Sequence, residues 1–323
     1  MPARRPRKVR AAEDQATRRQ LRAAVGRLSH NLVQPRTLEI YQQAVRQFSE
    51  WVASRGMTWS GAADHVDKLD LLVAEWIEWL WTEGHPQGLA GNTLSAVQFF
   101  LRKKRILPAS WRLLRAWQNL ELPQRVLPLP EVVLLAMAAT ARGWGRNDLA
   151  ALLVLGFAGF LRTTEMITLR RWQVAIDEAS ARIIIILPIT KSGLRFHTQE
   201  SVVIDDGTVV RLLSYLLRHL APEQAILSTS ATDFREKFEQ LTVALECQQF
   251  RFKPYSLRRG GATSYFKRTR NMPATLERGR WQDTATARIY IAEGQQALSE
   301  MQFSPVSYQR LSYISSLLAY DVA

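Results

Sequence analysis

The sequence predicts a mainly α-helical protein with a small antiparallel β-sheet, an α+β fold arranged in two domains. Apolar residues in the first third of the chain recur at alternating steps of three and four, which is typical of amphipathic helices. Three prolines fall within residues 123–130, a segment that cannot be helical throughout and therefore indicates a linker. Runs rich in β-branched residues lie between residues 174 and 204, so the predicted strands belong to the second domain.

The chain begins with a basic arm, residues 1–30. Residues 1–28 carry nine basic and two acidic side chains, so half of the net charge of +14 lies there. Because the arm has few apolar residues, we expect it to stay unfolded until it meets phosphates. A solubilising tail and a nuclear-import signal formed by RRPRKVR are equally good interpretations.

Composition narrows the function classes. A net charge of +14 favours polyanionic partners, with DNA or RNA first, although charge alone also fits a membrane-surface protein. The single cysteine, Cys247, excludes an internal disulfide and a cysteine-based zinc cluster, and we expect it to pack as a small apolar residue. No apolar run is long enough to span a membrane, and none follows the basic start as in a secretory signal. We expect an intracellular protein with no membrane partner and no metal or other cofactor.

Residues 31–122 are predicted to form an all-helical domain. A first helix, which Gly56 can end, repeats apolar residues at Leu38, Tyr41, Val45, Phe48 and Val52. A second repeats them at Leu69, Val73, Trp76 and Leu80. Two more are expected at residues 93–105 and 110–120, the latter capped by Ser110. Seven of the ten tryptophans lie in this domain, and we expect most of them in its core.

A second domain is predicted over residues 131–300. Residues 148–157 are apolar enough for a buried helix, which is interrupted near Gly159. Strands are predicted at residues 174–176, 182–189 and 194–204. Thr190–Gly193 lies between the last two strands as a hairpin turn, and the chain from Gly207 onward is predicted to be mostly helical.

Some polar residues occur where a structural role alone does not require them. Arg162 directly follows the apolar stretch VLGFAGFL, so its charge must be paired or directed into a cleft. An ion pair with Glu165 that closes a helix end is the simpler interpretation. Lys191 lies at the tip of the predicted hairpin, where most lysines are merely solvated.

Three more candidates lie near the end of the chain. Arg258 is placed near the start of a predicted helix, where a cation is unfavourable and an anion is favoured, so functional and structural roles are equally good interpretations. Gly260 and Gly261 permit close backbone approach there. Trp281 and Tyr290 are nine residues apart and can be core residues on neighbouring turns.

Taken in order, these segments resemble the tyrosine recombinase (phage integrase) family. GFLRTTEMITL resembles the box with its first catalytic arginine, ITKSG its hairpin lysine, and YSLRRGGATSYF its histidine-x-x-arginine box. GRWQDTATARIYI is similar to its closing box, in which a His or Trp precedes the nucleophilic Tyr by nine residues. The resemblance covers residues 126–293 and extends only in pattern to the preceding helices. The combination of RRGGAT with GRW most resembles recombinases of eukaryotic mobile elements of the DIRS and crypton type.

The resemblance implies roles for the candidate residues. Tyr290 would attack a DNA phosphate and form a 3′-phosphotyrosyl link, while Arg162 and Arg258 hold the phosphate oxygens. The others implied are Trp281, which adds its indole N–H, Lys191, which protonates the leaving 5′ oxygen, and Glu165, which orients Arg162. These groups must converge around one phosphate-sized hollow.

The resemblance also implies an assembly. A helical core-binding domain (residues 31–122) and a catalytic domain (residues 131–300) would clamp double-stranded DNA like a letter C, with a homotetramer on two specific sites. The expected task is integration or excision of a mobile element, in the nucleus of a eukaryote and otherwise in the cytoplasm or nucleoid. The C-terminal tail, residues 301–323, contains LSYISSLLAY, which is apolar enough to dock on a neighbouring subunit or to fold back on its own domain.

One position departs from the family pattern. Tyr255 stands where the histidine of the histidine-x-x-arginine box is usual, and a phenol, with a pKa near 10, is a poorer base than imidazole. Tyr255 can still hydrogen-bond the phosphate or orient the nucleophile, and His197 is a remote substitute. Two alternatives therefore stay open: a type IB topoisomerase, and a DNA-binding protein that descends from a recombinase and has lost catalysis.

Overall fold

The computed structural model describes residues 15–59, 65–122, 124–187 and 200–320. The chain divides after Gln124 into two compact units, and each unit has a hydrophobic core of its own. Both units are built mainly from helices, and the second also contains a three-stranded antiparallel sheet. The predicted fold class is confirmed. None of the helices in the described ranges combines the length and the hydrophobicity that crossing a bilayer requires.

The first unit is helical, as the periodicity of residues 31–122 predicts; the expectation that the basic arm stays unfolded is wrong for Gln15–Val25, which form a helix. Its longer helices are α1 (Gln15–Val25), α2 (Pro35–Ala53), α3 (Val66–Thr82), α4 (Gln87–Phe100) and α5 (Pro108–Leu120). The apolar faces of α2 and α3 meet in one core, in which Phe48 and Leu69 are fully buried. Trp51 and Trp76 pack edge to face at 5.3 Å between ring centroids, so aromatic contacts tie α2 to α3.

The N-terminus of α5 corrects one prediction, because Ser110 does not cap this helix. The helix begins at Pro108, and the carboxylate of Asp70, from α3, accepts the backbone N–H groups of Ala109 at 2.8 Å and Ser110 at 2.9 Å. The Ser110 hydroxyl also donates to Asp70 at 2.6 Å. A buried carboxylate thus satisfies N–H groups that a helix leaves unpaired, and it fixes α3 to α5.

The second unit surrounds one helix that is buried over most of its length. Its longer elements are α6 (Glu131–Gly143), α7 (Asn147–Ala158), α8 (Thr163–Met166), α9 (Gly207–Leu217), α10 (Ala231–Ala244), α11 (Pro254–Thr269), α12 (Met272–Gly279), α13 (Thr284–Tyr290), α14 (Glu293–Met301) and α15 (Pro305–Tyr320). Every residue from Leu149 to Phe157 is buried, which confirms the buried helix expected there. Cys247 lies in the same core, as predicted.

The sheet lies at one side of this core. Its strands are β1 (Val174–Asp177), β2 (Arg182–Leu187) and β3 (Glu200–Asp205), in the order β1-β2-β3 with both pairs antiparallel. Along β2, Ile183 and Ile185 are fully buried while Ile184 is 39% exposed, the alternation of a sheet with one solvated face. The predicted hairpin turn Thr190–Gly193, with Lys191, lies outside the described residues.

The C-terminal helix α15 packs against α6 of the same unit. Leu311 and Leu318 are 2% and 3% exposed and belong to the core of this unit. Of the two arrangements open to the apolar tail, the structure contains the one in which it folds back.

Two glycines allow α11 to cross the end of α7 at very short distance. A Cβ atom at Gly260 would lie 2.1 Å from the carbonyl oxygen of Leu129, and one at Gly261 would lie 1.9 Å from that of Phe157. Any side chain at these positions would therefore separate α11 from the segments it touches. This contact brings Arg258, one turn earlier on α11, to the turn that follows α7.

Candidate active site

The centre of the candidate site is Arg258, which is fully buried. Its guanidinium donates to the carbonyl oxygen of Phe160, in the turn after α7, and to that of Gly279 at 2.8 Å, at the end of α12. Burial, together with the charges of Arg280 and Arg162, lowers the pKa of Arg258 to about 10, which leaves it cationic at neutral pH. The Nε–H of the same guanidinium is buried with no hydrogen-bond partner among the described residues.

A second group of charges lies beside it. Glu165, 6% exposed, accepts a hydrogen bond from the backbone N–H of Arg162 and one from its side chain, both at 2.8 Å. The Arg280 side chain, 5% exposed, donates to the same carboxylate at 2.8 Å. The simple ion pair expected between Arg162 and Glu165 is present, but it is half of a triad in which one carboxylate joins two guanidiniums.

The charge state of Glu165 follows from this triad. Burial alone would raise the pKa of this carboxyl group, but the charge of Arg280, the Arg162 N–H and the Arg162 charge outweigh it and hold the pKa below its usual range. Glu165 is therefore ionised at neutral pH and cannot serve as a proton donor there. Its contacts make it an orienting group for the two arginines.

Tyr290, the last residue of α13, lies directly over Arg258. Its ring stacks on that of Trp281 with centroids 4.5 Å apart and planes 24° apart. The Arg258 guanidinium carbon is 5.0 Å from the Tyr290 ring centroid and 5.1 Å from that of Trp281. Trp281 fits there because Gly279 has no side chain: a Cβ atom would lie 2.3 Å from the indole.

Tyr255 completes the group from the first turn of α11. Its ring centroid is 5.9 Å from that of Tyr290. Burial, a hydrogen bond to Tyr290 and the charge of Tyr290 raise the pKa of Tyr255 to about 12. For Tyr290, burial would raise the pKa, but the hydrogen bond from Tyr255 and the positive charges of Arg258 and Arg162 lower it below its ordinary value. Of the two phenols, Tyr290 therefore ionises first and Tyr255 is the donor.

The backbone at Tyr290 is anchored to α11 by Thr263, which is fully buried. The single Thr263 hydroxyl hydrogen is shared between the carbonyl oxygens of Arg259 at 2.7 Å and Tyr290 at 3.2 Å, and the hydroxyl oxygen accepts the N–H of Ala292 at 3.2 Å. The contacts to Tyr290 and Ala292 flank the point where α13 ends, so they determine the direction in which the chain leaves the Tyr290 ring.

Six of the seven predicted site residues come together in this way: Arg162, Glu165, Tyr255, Arg258, Trp281 and Tyr290. Lys191, the seventh, and His197 lie outside the described residues. The resemblance implies a phosphate-sized hollow among these groups; in the structure the rings of Trp281 and Tyr290 lie over a fully buried Arg258. Within the described ranges, no group of His, Cys, Asp and Glu side chains is arranged to hold a metal ion.

Arg280 and Thr263 are site residues that the sequence did not single out. Arg280 lies between two residues that were noticed, in GRW, and a charged residue beside a buried tryptophan is the signal that was available. Thr263 carries no such signal, because a threonine in a helix normally bonds its own backbone. It makes that bond too, to Arg259 at 2.7 Å.

The first unit contains a separate basic groove of about 1510 Å³. We call it the α4–α5 groove because α4, α5 and the loop between them supply most of its lining. Its basic residues are Arg102, Lys103, Lys104, Arg105, Arg112 and Arg115, and its aromatic ones are Tyr41, Phe99 and Trp111. Clustered cations interleaved with aromatic rings are typical of nucleic-acid surfaces.

Solved structures similar to this chain identify its fold. The Tn1549 transposon integrase in complex with transposon right end DNA matches with a TM-score of 0.56 and 13% identity, over 88% of this chain and 96% of that chain. This chain has the tyrosine recombinase fold. At 13% identity the likeness establishes the fold, and any recombinase activity has to be argued from the side chains.

Two further tyrosine recombinases are among the matches. A lambda integrase dimer bound to a COC′ core site has a TM-score of 0.48 and 14% identity, over 86% of each chain. The XerH site-specific recombinase bound to a palindromic difH substrate has a TM-score of 0.48 and 12% identity, over 72% of this chain and 71% of that chain. No family model and no curated protein matches the sequence.

Proposed function

We propose that the chain is a site-specific DNA recombinase that breaks and rejoins strands through a covalent 3′-phosphotyrosyl link at Tyr290. One observation carries the proposal: the Tyr290 phenol lies against Trp281, over the buried Arg258 and beside Tyr255, with its pKa lowered. A lowered pKa makes a phenol a better nucleophile at neutral pH. A tyrosine that served only as a core residue would not need three polar neighbours.

The reaction balances without a cofactor. Tyr290 loses its proton to solvent and its oxygen bonds to phosphorus, while the bond from phosphorus to the 5′ oxygen breaks. Lys191 supplies a proton to the leaving 5′ oxygen. The phosphotyrosyl bond retains the energy of the broken bond, so a 5′-hydroxyl from another strand can reverse the step and release Tyr290.

Charge on the phosphate is neutralised by arginine. The five-coordinate state concentrates negative charge on the two free oxygens, which Arg162 and Arg258 meet with forked hydrogen bonds. The Trp281 indole N–H, which is buried and has no hydrogen-bond partner among the described residues, is a further donor. Because the rings of Tyr290 and Trp281 cover Arg258, the phosphate enters only when the Tyr290 ring moves aside, which also aims its oxygen at phosphorus.

Tyr255 takes the place of the histidine without acting as a strong base. As the donor to the Tyr290 oxygen it stabilises the phenolate, and the charges of Arg258 and Arg162 act in the same direction. The site thus achieves by electrostatic stabilisation part of what a base would do by removing the proton.

DNA is the substrate that the rest of the chain supports. The α4–α5 groove places six basic side chains on one surface, and the chain as a whole carries a net charge of +14. Phosphate contacts of this kind supply affinity and depend on salt. A homotetramer acting at two sites of a mobile element, with residues 31–122 as the core-binding domain and residues 131–300 as the catalytic domain, remains part of the proposal.

Trapping on a nicked suicide substrate tests the proposal. The wild-type chain should form a covalent protein–DNA adduct, and Tyr290→Phe should abolish it. Tyr313→Phe is the matched control, because Tyr313 is an exposed tyrosine of α15 and should leave the adduct unchanged. An adduct that survives Tyr290→Phe would refute the assignment of the nucleophile.

Two outcomes would point to the alternative functions. Relaxation of plasmids that lack any specific site, by a monomer, would indicate a type IB topoisomerase. Specific DNA binding with no adduct at any pH would indicate a DNA-binding protein that has lost catalysis.

A further inference from the structure

Arg280 is the most enclosed cation of the candidate site that the proposed reaction does not yet use. Its side chain is 5% exposed and extends from the left-handed residue that ends α12, with a φ of 55°. One Nη donates to Glu165 at 2.8 Å and to the Phe160 carbonyl oxygen at 3.4 Å, and the Nε lies 3.7 Å from the Glu200 carboxylate. Burying a guanidinium costs free energy, so this one requires an explanation.

The neighbours of Arg280 are the partners of the proposed catalytic groups. Gly279, just before it, accepts a hydrogen bond from Arg258, and Trp281, just after it, stacks on Tyr290. Its own side chain reaches Glu165, which binds both the N–H and the guanidinium of Arg162. Three consecutive residues therefore contact the elements that carry both proposed phosphate-binding arginines and the nucleophile.

The direction of these contacts separates two roles for Arg280. Of the two proposed phosphate-binding arginines, Arg258 is fully buried and Arg162 has 24% of its side chain exposed, so exposure alone does not decide between the roles. One Nη of Arg280 donates to a carboxylate and a carbonyl oxygen, and its Nε faces a second carboxylate, while its other Nη is buried with no hydrogen-bond partner among the described residues. The charges of Glu165 and Glu200 balance it locally, which favours an orienting role.

We propose that Arg280 is a positioning residue that holds the Glu165 carboxylate in place, so that Glu165 directs the Arg162 guanidinium toward the scissile phosphate. This inference rests on the proposed cleavage reaction. Glu165 has two oxygens: one binds the Arg162 side chain, and the other binds the Arg162 N–H and Arg280. Without Arg280, only the two contacts to Arg162 hold the carboxylate, so its rotation about the Cγ–Cδ bond is less restrained.

A double-mutant cycle tests the inference, with the rate of adduct formation measured at saturating DNA. Arg280→Gln should slow adduct formation about 10- to 100-fold, as expected when a reacting group is misplaced by about 1 Å. Glu165→Gln should have a similar effect, and the double variant should be no slower than Glu165→Gln within about twofold, because Arg280 acts through Glu165. Losses that multiply in the double variant would show that Arg280 acts directly and would overturn the inference.

Two further variants distinguish a specific effect of Arg280 from a general loss of structure. Arg278→Gln is the matched control, since Arg278 is a half-buried arginine two residues earlier that lies over the Tyr265 ring at 4.1 Å. It should leave the cleavage rate within about twofold of wild type. Arg280→Lys keeps the charge next to Glu165 and should recover most of the rate that Arg280→Gln loses. Equal losses in the Lys and Gln variants would contradict a role through the Glu165 charge.

A titration of Glu165 tests the same contact without any cleavage. The groups that face this carboxyl are Arg162 from its own turn, Arg258 from α11 and Arg280 from the end of α12, with Glu200 of β3 behind Arg280. Because Arg280 is the largest of the effects that lower the pKa of Glu165, Arg280→Gln should raise it, and the acid limb of the cleavage profile should move to higher pH. Arg278→Gln should change neither the pKa of Glu165 nor the acid limb of the cleavage profile.

Together, the cleavage kinetics and the Glu165 titration distinguish a failure of this inference from a failure of the proposed function. Carbon-13 NMR of the free protein, with the Glu165 resonance assigned by Glu165→Gln, reports the pKa whether or not the chain cleaves DNA. A pKa unchanged by Arg280→Gln would overturn the inference even if cleavage falls. If the wild-type chain forms no adduct, the proposed function fails, and the titration alone decides whether Arg280 controls Glu165.

Discussion

The two units of this protein place positive charge in opposite ways. In the first unit, Arg102, Lys103, Lys104 and Arg105 are exposed around the α4–α5 groove, where each can meet a phosphate independently. In the second unit, three guanidiniums, two of them almost fully buried, lie together with two carboxylates and share their partners. Exposed charges contribute singly and are screened by salt, whereas enclosed ones act as a unit and are costly to remove one at a time. The first arrangement suits binding and the second suits chemistry.

The largest expected effect, that of Arg258→Ala, tests whether chemistry and binding are separable. Removing a preorganised donor from the transition state should slow adduct formation by about 10³-fold, while the affinity for DNA should fall no more than about threefold, because other phosphate contacts supply it. Suicide-substrate kinetics and gel-shift titration measure the two quantities side by side.

Arg258→Ala also leaves the carbonyl oxygens of Phe160 and Gly279 without their donor. Thermal unfolding is therefore measured for each variant, with Arg258→Lys as a version that retains one cationic donor. A parallel fall of binding and cleavage in a folded variant would show that Arg258 is structural, and the contrast between the units would disappear.

Tyr255→Phe is the next largest change. It removes the donor to the Tyr290 oxygen, so the pKa of Tyr290 should rise and the cleavage rate at neutral pH should fall about tenfold. A group with a lowered pKa ionises at lower pH, so losing the donor should shift the rise of the rate profile to higher pH. The pH dependence of adduct formation measures this shift.

Tyr255→His provides the comparison with the histidine that the family pattern has at this position. It should match or exceed the wild-type rate at neutral pH. An unchanged rate and profile in Tyr255→Phe would show that the hydroxyl group contributes nothing.

Thr263→Val should have a smaller effect, since it acts through the backbone. The variant keeps the shape of the side chain but removes the hydroxyl that contacts the Tyr290 carbonyl and the Ala292 N–H. Leaving buried polar groups unsatisfied costs about 1–3 kcal/mol, and we expect a cleavage loss of about fivefold from a less restrained nucleophile. Thermal unfolding measures the loss of stability, and single-turnover cleavage measures the loss of rate.

Thr269→Val is the matched control for Thr263→Val. Thr269 lies on the same helix and donates to the carbonyl oxygen four residues earlier, at 2.9 Å, just as Thr263 does. It should leave cleavage unchanged within experimental error. A loss of similar size in both variants would attribute the effect to α11 rather than to Tyr290.

The features that the sequence revealed are those that are local along the chain. Periodicity and β-branched runs predicted the fold class and the buried helix α7, because each depends on local pattern. The cluster of Arg162, Arg258, Trp281 and Tyr290 was reached through resemblance, since residues 128 positions apart along the chain carry no spacing rule of their own. Asp70 capping α5 and Arg280 binding Glu165 were missed because both contacts exist only after distant helices pack.

The smallest expected effect concerns the α4–α5 groove. Lys103→Ala and Arg112→Ala should each weaken DNA binding about threefold and lower the slope of log affinity against log salt concentration by about one, the value for the loss of one phosphate contact. The cleavage rate at saturating DNA should stay constant, because neither side chain belongs to the second unit.

Arg36→Ala serves as the control. It removes an exposed cation of the same unit that pairs with Glu39 at 2.9 Å and is not among the residues that line the groove. Equal losses in all three variants would mean that general charge, rather than the groove, attracts the DNA. A salt slope that stayed constant while affinity fell would show that these residues act on the fold of the first unit instead of on phosphates.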